Sequence, residues 1–574
     1  MKRISRRDSI RLAGALGAGL LGAKLLPRTV NAQSAVDSVV EIASGRVRGV
    51  MTGGVHAFKG IPYGADTSGP RRLRPPVRPE PWTGVRDATA YGPRATQAVR
   101  NMIPELGDAL TGSGPTSEDC LRVNVWSAGL TAADRRPVMV FLHGGGYQTG
   151  SGNSILYDGT SLARRHGVVV VTLTHRLNAF GYLYLNEIGG AGNRDSANVG
   201  LLDLVAALEW VRDNVSRFGG DSGRVTIFGE SGGAAKVCML MAMPAAKGLF
   251  HRAIVQSTLV DMAIRGQTPA QGTELAETLL ARLGLNASQL DRLRLMPAAQ
   301  IVDALTSAPA GRRLPQDNGQ YIANNFYPVV DGHTVPAHPF HPAAPQISAD
   351  VPLLCGSTEN EVTPYLDASQ LVPLDDAALR TRTAATLRID DPTAARVIAL
   401  YRSHRPDLTN LGLATMIASD NSVMRGSEYL MAERKTALGR APVFLYYFQW
   451  PSPVRDGLLG AMHGVELPFV FHNTDKVPAM VGTGSDLVPL ADVVSAAWVA
   501  FARTGNPSTP SHAWPAFDPM TRSTMVFDRT SRVVNDPYGE ERRLLASIRE
   551  SQAHLPQHAP PGCASVVCGA MNLR

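Results

Sequence analysis

One pentapeptide in the chain has the residue types and spacing of a turn that presents a nucleophilic serine. It reads Gly229-Glu230-Ser231-Gly232-Gly233 and follows the apolar run at 225–228, which is typical of a buried strand. An Ala- and Met-rich stretch with helical character comes next, so Ser231 is predicted at a strand-turn-helix junction. Such a junction lifts the hydroxyl out of the sheet, as nucleophilic acyl transfer requires. A helix N-cap serine in a glycine-rich turn is the alternative.

Candidate partners for Ser231 lie later in the chain. A serine hydroxyl needs a histidine to remove its proton and a carboxylate to orient that histidine. Of fourteen histidines, His463 stands out because glycines flank its loop after a predicted strand. Glu359 and Glu361 follow another predicted strand, at 351–354, where catalytic residues of open α/β sheets gather. These considerations do not separate the two acids, and a surface role for His463 or a solvated position for either acid remains an alternative.

A glycine loop could stabilise the negative charge that develops during acyl transfer. Gly144, Gly145 and Gly146 follow a predicted buried strand and His143, which matches the HGGG loop of lipases and esterases. Backbone N–H groups in such a loop can approach a developing oxyanion closely. A glycine-rich hairpin or a phosphate loop is the alternative, and the lack of a following Lys-Ser/Thr pair disfavours the phosphate loop.

The elements that must position these residues alternate between strand and helix. Continuous apolar runs at 138–142, 168–173 and 443–448 are typical of strands buried in a parallel sheet. Apolar residues recur at helical spacing over 201–215 and 487–503. The pattern predicts an α/β protein.

Seven stretches resemble the type-B carboxylesterase and cholinesterase family, and they occur in the family's order between residues 39 and 527. They are Phe58-Lys59-Gly60-Ile61-Pro62-Tyr63, Ser117-Glu118-Asp119-Cys120-Leu121, the triglycine loop, Asn198-Val199-Gly200-Leu201-Leu202-Asp203, Phe218-Gly219-Gly220-Asp221, the pentapeptide around Ser231, and Met462-His463-Gly464-Val465-Glu466-Leu467-Pro468-Phe469. The resemblance implies an α/β-hydrolase fold: a mostly parallel central sheet with helices on both faces and loop-rich insertions over the active site.

The resemblance also implies a role for each candidate residue. It makes Ser231 the nucleophile, His463 the general base and then acid, and Glu361 the orienting acid, which leaves Glu359 without a catalytic role. Glu230 is expected beside the nucleophile. The oxyanion donors are expected to be the N–H groups of Gly145, Gly146 and Gly232.

Two structural expectations come from the same resemblance. Arg72 and Glu118 are expected to form a structural ion pair. Family members usually carry a cysteine that pairs with the equivalent of Cys120, but this chain has none at 92–97, so Cys120 is predicted to be a free, buried thiol.

The predicted activity is hydrolysis of small to medium carboxylic esters through an acyl-enzyme, without a metal or cofactor. Amide or carbamate hydrolysis by the same three side chains is an alternative. A non-catalytic, cholinesterase-like binding protein is a further alternative, which the presence of Ser231, Glu361, His463 and the triglycine disfavours.

The first 32 residues are predicted to be a signal peptide of the twin-arginine type. Arg6 and Arg7 resemble the export motif, an apolar run follows at 12–26, and small residues at 30–32 predict cleavage before Gln33. The expected partner in transit is the twin-arginine export machinery, and the expected location is periplasmic or secreted. A short membrane anchor is the alternative. No later segment is expected to be long and apolar enough to span a membrane, so no stable insertion is predicted after cleavage.

The remaining chain is predicted to form a single catalytic domain at 33–550 and a flexible tail at 551–574. The net charge of +7 does not indicate nucleic-acid binding, because residues 1–32 contribute +6 of it. Five cysteines without paired spacing argue against a disulfide scaffold or a zinc site. Pairing of Cys563 with Cys568 in the tail is left open.

Overall fold

The computed structural model describes residues 36–98, 103–112, 114–258, 263–264, 266–306 and 326–553. The predicted signal peptide, Cys563 and Cys568 lie outside these residues. The strands are β1 (Val36–Ile42), β2 (Gly45–Thr52), β3 (Val55–Pro62), β4 (Val85–Asp87), β5 (Arg94–Ala95), β6 (Thr116–Ser117), β7 (Arg122–Ser127), β8 (Arg136–Leu142), β9 (Val169–Thr174), β10 (Gly220–Glu230), β11 (Arg252–Gln256), β12 (Leu353–Thr358), β13 (Val443–Phe448), β14 (Ser523–Phe527) and β15 (Arg532–Asn535).

The strands build one large, mostly parallel sheet, and β5 pairs with β6 apart from it. The sheet order is β1-β2-β3-β7-β9-β8-β10-β11-β12-β13-β14-β15, with β4 beside β2. The seven strands from β9 to β14 in this order pair in parallel, and antiparallel strands flank them on both sides. Because parallel strands end at a common edge, the segments after β8, β10, β11, β12 and β13 meet there.

Helices connect the strands and cover the sheet. They are α1 (Pro104–Thr111), α2 (Thr160–His166), α3 (Asn178–Tyr182), α4 (Asn186–Gly189), α5 (Val199–Asn214), α6 (Gly232–Ala242), α7 (Pro269–Arg282), α8 (Leu290–Leu295), α9 (Ala298–Thr306), α10 (Asp376–Leu387), α11 (Asp391–His404), α12 (Asn410–Asn421), α13 (Val423–Thr436), α14 (Leu467–Val470), α15 (Pro478–Val481), α16 (Leu487–Thr504) and α17 (Gly539–Ala553). The described residues from Ala35 onward belong to one compact unit.

Alternate residues of the central strands enter two different cores. On β8, Val138 and Val140 join the core that includes α5 and α6, whereas Met139 and Phe141 join the core that includes α2 and α16. Successive side chains of a strand point to opposite faces, so an apolar run without alternation needs cover on both faces. The α/β-hydrolase fold with helices on both faces is thereby confirmed.

Two sequence-based expectations need correction, one about a strand and one about a helix. The strand expected at 351–354 is β12, which begins later and runs on to Thr358 because Cys355-Gly356-Ser357-Thr358 continue its pairing with β13. Helix α17 extends to Ala553, and the rest of the expected tail at 551–574 lies outside the described residues, so the flexible tail stays a prediction. Helix α16 meets the length and composition needed to cross a membrane, which the sequence-based expectation denied to every later segment, and 56% of it is buried in the protein. The absence of stable membrane insertion stays a prediction.

Two expectations about buried side chains are confirmed. Arg72 Nη2 lies 2.5 Å from Glu118 Oε2 and Arg72 Nε donates to Glu118 Oε1 at 2.7 Å, with both side chains buried. Arg72 also donates to the carbonyls of Leu293 and Met296 and so fastens the chain near α8. Cys120 is a buried free thiol.

Candidate active site

Ser231 lies in a sharp turn between β10 and α6. Its backbone has φ 59° and ψ −123°, a conformation that non-glycine residues adopt only where the surroundings enforce it. The turn leaves no space for a side chain at Gly233, where a Cβ would lie 1.9 Å from Leu142 O. The Ser231 N–H donates to Gln256 O of the neighbouring strand, and its side chain remains partly exposed. The strained turn predicted from the pentapeptide is therefore present.

His463 and Glu361 form a buried pair at the same edge of the sheet. His463 Nδ1 lies 2.5 Å from Glu361 Oε2, and both residues are almost inaccessible to solvent. Glu361 follows the end of β12, where its other oxygen accepts from the Thr358 N–H at 2.7 Å. Two fixed contacts thus hold the carboxylate against the imidazole and leave Nε2 facing away from it.

The residue between the two candidate acids joins their loop to the histidine loop. Asn360 N–H donates to Ala461 O at 2.8 Å, and Asn360 Oδ1 accepts from the Ala461 N–H at 2.9 Å. Its amide nitrogen donates to Thr415 Oγ1 of α12 at 2.9 Å. Asn360 therefore fixes the spacing between Glu361 and His463.

Glu359 points into a different network. Its carboxylate pairs with Arg405 and accepts from Gln449 Nε2 at 2.7 Å. The structure thus separates the two acids that the residues alone left equivalent, and only Glu361 contacts His463.

Glu230 contacts the second nitrogen of the histidine. Glu230 Oε1 lies 3.1 Å from His463 Nε2, and Nε2 has no hydrogen-bond partner within the described ranges, Ser231 included. Hydrogen bonds between catalytic groups are often long without substrate and tighten when it binds. Glu230 is buried directly before Ser231, as expected for a residue beside the nucleophile.

The carboxylates around His463 control its protonation. Burial alone lowers the pKa of His463, but the negative charges of Glu230 and Glu361 outweigh burial and hold it well above its usual value. Burial raises the pKa of Glu361, yet the charge of His463 and the hydrogen bonds from His463 and the Thr358 N–H keep it below the usual range. Burial raises the pKa of Glu230, with His463 opposing and Glu361 reinforcing the shift. This charge arrangement stabilises an imidazolium.

The triglycine loop lies against the Ser231 turn. A Cβ on Gly144 would lie 3.4 Å from Ser231 Cβ, and Gly145 and Gly146 have φ of +86° and +65°. The N–H groups of Gly145 and Gly146 donate to no acceptor in the part of the chain that the structure describes. The N–H of Gly232 begins α6, where helical N–H groups have no partner within the helix. These three donors are available to an oxyanion.

Comparisons with known proteins agree with this architecture. The model of the carboxylesterase family matches residues 36–544. The para-nitrobenzyl esterase of Bacillus subtilis is 37% identical over 88% of this chain and 98% of its own length. The chain belongs to the carboxylesterase family.

Other relatives extend the likeness. The phenmedipham hydrolase of Pseudarthrobacter oxydans is 34% identical over 87% of this chain and 97% of its own length. A solved carboxylesterase of Geobacillus stearothermophilus superposes with a TM-score of 0.73 at 35% identity, covering 88% of this chain and 99% of that one. A solved esterase of Clostridium hathewayi superposes with a TM-score of 0.76 at 29% identity, covering 90% and 100%. The protein is thus a carboxylic-ester hydrolase.

Two buried residues of the esterase's site had been given no role from the sequence. Glu466 accepts from Gln256 Nε2 at 3.0 Å, and burial followed by Glu230 and Glu361 raises its pKa. Its signal was its place three residues after His463. Ser257 follows β11 at the catalytic edge with φ 52°, and its buried side chain lowers the pKa of the Glu361 carboxyl. The rule that functional residues follow parallel strands could have found Ser257.

No group of three or more His, Cys, Asp or Glu side chains is arranged as metal ligands within the described ranges of the esterase. The groups assembled at its sheet edge are a hydroxyl, an imidazole between carboxylates, and the backbone N–H groups of the triglycine loop. Together these groups can transfer a proton and stabilise a developing oxyanion.

Proposed function

We propose that the esterase hydrolyses small to medium carboxylic esters by two-step acyl transfer through Ser231. Support comes chiefly from one observation: the 2.5 Å contact between His463 and Glu361 lies beside the strained turn that presents Ser231. In the first step, the Ser231 oxygen bonds to the ester carbonyl carbon while His463 Nε2 takes the hydroxyl proton. Glu361 keeps Nδ1 protonated and stabilises the imidazolium that results.

Collapse of the tetrahedral intermediate breaks the bond to the alcohol. The imidazolium returns its proton to the departing alkoxide, which leaves an acyl ester on Ser231. Water then attacks that ester with His463 again as base, and the carboxylic acid departs as the serine regains its proton. The N–H groups of Gly145, Gly146 and Gly232 donate to the carbonyl oxygen whenever it carries negative charge.

Trapping the acyl-enzyme tests this proposal. The mature protein is mixed with excess p-nitrophenyl acetate, quenched in acid within the burst of p-nitrophenolate, digested and analysed by mass spectrometry. An acetyl group on the peptide containing Ser231 is expected, and none on the same peptide of Ser231→Ala. Hydrolysis at wild-type rate without any acylated serine, or acylation of another residue, contradicts the proposal.

We also propose that the twin-arginine machinery exports the esterase to the periplasm or beyond, with cleavage before Gln33. Arg6 and Arg7, the apolar run at 12–26 and the small residues at 30–32 support this. Cell fractionation with Arg6→Lys/Arg7→Lys as the matched control tests it. Export of the wild type, a mature N-terminus at Gln33 and retention of the variant are expected; equal export of both contradicts the route.

A further inference from the structure

A lysine is buried behind the triglycine loop without a carboxylate partner. Lys236 is fully inaccessible to solvent, and no Asp or Glu pairs with it in the described residues. Its Nζ donates instead to two backbone carbonyls, Gly146 O at 2.8 Å and His143 O at 3.0 Å. Burial lowers the pKa of this amine to about 7. Burying an amine without a carboxylate partner costs free energy. The position of Lys236 is therefore expected to serve a purpose, which its two hydrogen bonds indicate.

The two carbonyls belong to the peptide units on either side of the oxyanion donors. The Gly145 N–H belongs to the peptide bond between residues 144 and 145, and His143 O belongs to the peptide bond just before it. The Gly146 N–H belongs to the peptide bond between residues 145 and 146, and Gly146 O belongs to the peptide bond just after it. The carbonyls between them are also occupied: Gly144 O accepts from His143 Nδ1, and Gly145 O accepts from two following N–H groups. Four consecutive carbonyls are therefore fixed while the two donors stay available.

Lys236 also ties this loop to the helix that carries the third donor. Gly232 precedes Lys236 by four residues, so both lie on one face of α6. Gly232 packs directly on the loop, because a Cβ there would lie 2.1 Å from Gly146 O, the carbonyl that Lys236 holds. Gly146 is therefore positioned in two ways: the missing side chain at Gly232 lets it lie close to α6, and the Lys236 amine holds its carbonyl there.

We propose that Lys236 is a positioning residue that holds the triglycine loop in register with the first turn of α6, so that the N–H groups of Gly145, Gly146 and Gly232 converge on one oxyanion. This inference rests on the proposed function of those three donors. Glycines lose more conformational freedom on ordering than other residues, so a loop of three needs such external fixation to stay preorganised.

The chain offers a matched control elsewhere. Lys435 of α13 is equally buried and donates to two backbone carbonyls, Ser348 O at 2.5 Å and Ala349 O at 2.8 Å. These carbonyls lie before β12, at the edge of the sheet opposite to Ser231. Lys435→Met therefore removes the same interactions away from the reacting groups.

The experiment compares Lys236→Met and Lys435→Met in ester turnover and in inhibition by an alkyl trifluoromethyl ketone. The Ser231 oxygen bonds to the carbonyl carbon of the ketone, the C=O π bond opens so that the carbonyl oxygen becomes an oxyanion, and the hydroxyl proton passes to His463 Nε2. For Lys236→Met we expect kcat to fall about 10- to 100-fold with little change in KM. This loss is smaller than the roughly 10²- to 10³-fold loss that follows removal of an oxyanion-hole donor itself, because Lys236 only positions the donors. Affinity for the trifluoromethyl ketone is expected to fall by the same factor, whereas affinity for the matching methyl ketone stays constant. Lys435→Met is expected to leave all four quantities near wild type.

The inference is overturned if folded Lys236→Met has the same kcat and the same trifluoromethyl ketone affinity as Lys435→Met. The proposed function would survive that result, because it requires only that the wild type hydrolyse esters through Ser231. Gly232→Ala provides an independent route, because its Cβ must displace Gly146 O from Lys236 without removing a polar group. If both act through one loop position, Gly232→Ala and Lys236→Met are expected to be strongly non-additive in kcat. Full additivity, or wild-type ketone affinity in Gly232→Ala, overturns the inference as well.

Discussion

Glu361 and His463 lie 102 positions apart in the chain, yet their side chains meet at 2.5 Å. Asn360, the residue before Glu361, makes reciprocal hydrogen bonds with Ala461, two residues before His463. The contact between acid and imidazole is therefore built into the backbone of two loops at one edge of the sheet.

Glu361 and Glu359 are expected to respond differently to the same substitution. Glu361→Gln removes the charge that stabilises the imidazolium and should lower kcat about 10⁴-fold. Glu359→Gln is the matched control, since its carboxylate contacts Arg405 and Gln449 and not His463. Steady-state kinetics with p-nitrophenyl butyrate measure both. Greater loss of kcat in Glu359→Gln than in Glu361→Gln would show that the acid is wrongly assigned.

Glu230 is expected to set the pH at which the esterase becomes active. The reaction needs neutral His463, so kcat/KM rises as pH increases through the pKa of that residue. Glu230 raises this pKa, so Glu230→Gln should lower it and move the acidic limb of the profile to lower pH. The pH dependence of kcat/KM from about pH 5 to 10 measures the shift. An unchanged limb, or a shift to higher pH, would contradict the electrostatic account.

The ion pair between Arg72 and Glu118 is expected to matter for stability. Arg72→Met leaves Glu118 buried without its partner and should lower the free energy of unfolding by about 3–5 kcal/mol. Arg380→Met is the control, because its pair with Asp391 is about half exposed and such pairs contribute roughly 0–1 kcal/mol. Urea unfolding followed by circular dichroism compares them. Equal destabilisation by the two substitutions would refute the difference that burial predicts.

Much of this architecture could be predicted from the sequence. Continuous apolar runs identified β8, β9 and β13 because strands buried on both faces need no polar alternation. The pentapeptide predicted the turn at Ser231 because only small residues fit where β10 meets α6.

Contacts between distant segments were not accessible in the same way. Glu359 and Glu361 follow the same strand, and only the three-dimensional paths of Arg405 and His463 distinguish them. Lys236 was a lone charge in an apolar helix, and nothing in its local sequence revealed that it holds carbonyls of a loop some 90 residues earlier. The strand β12 was predicted too short because Gly356 and two hydroxyl residues weaken an apolar signal that pairing with β13 makes unnecessary.

Turnover of p-nitrophenyl butyrate by the wild type and by Ser231→Ala tests the central claim most directly. Loss of a nucleophilic serine of this kind can cost about 10⁶-fold in kcat, and the account predicts a loss of this order with the fold unchanged by circular dichroism. Equal turnover by both proteins would contradict the assignment of Ser231 as the nucleophile.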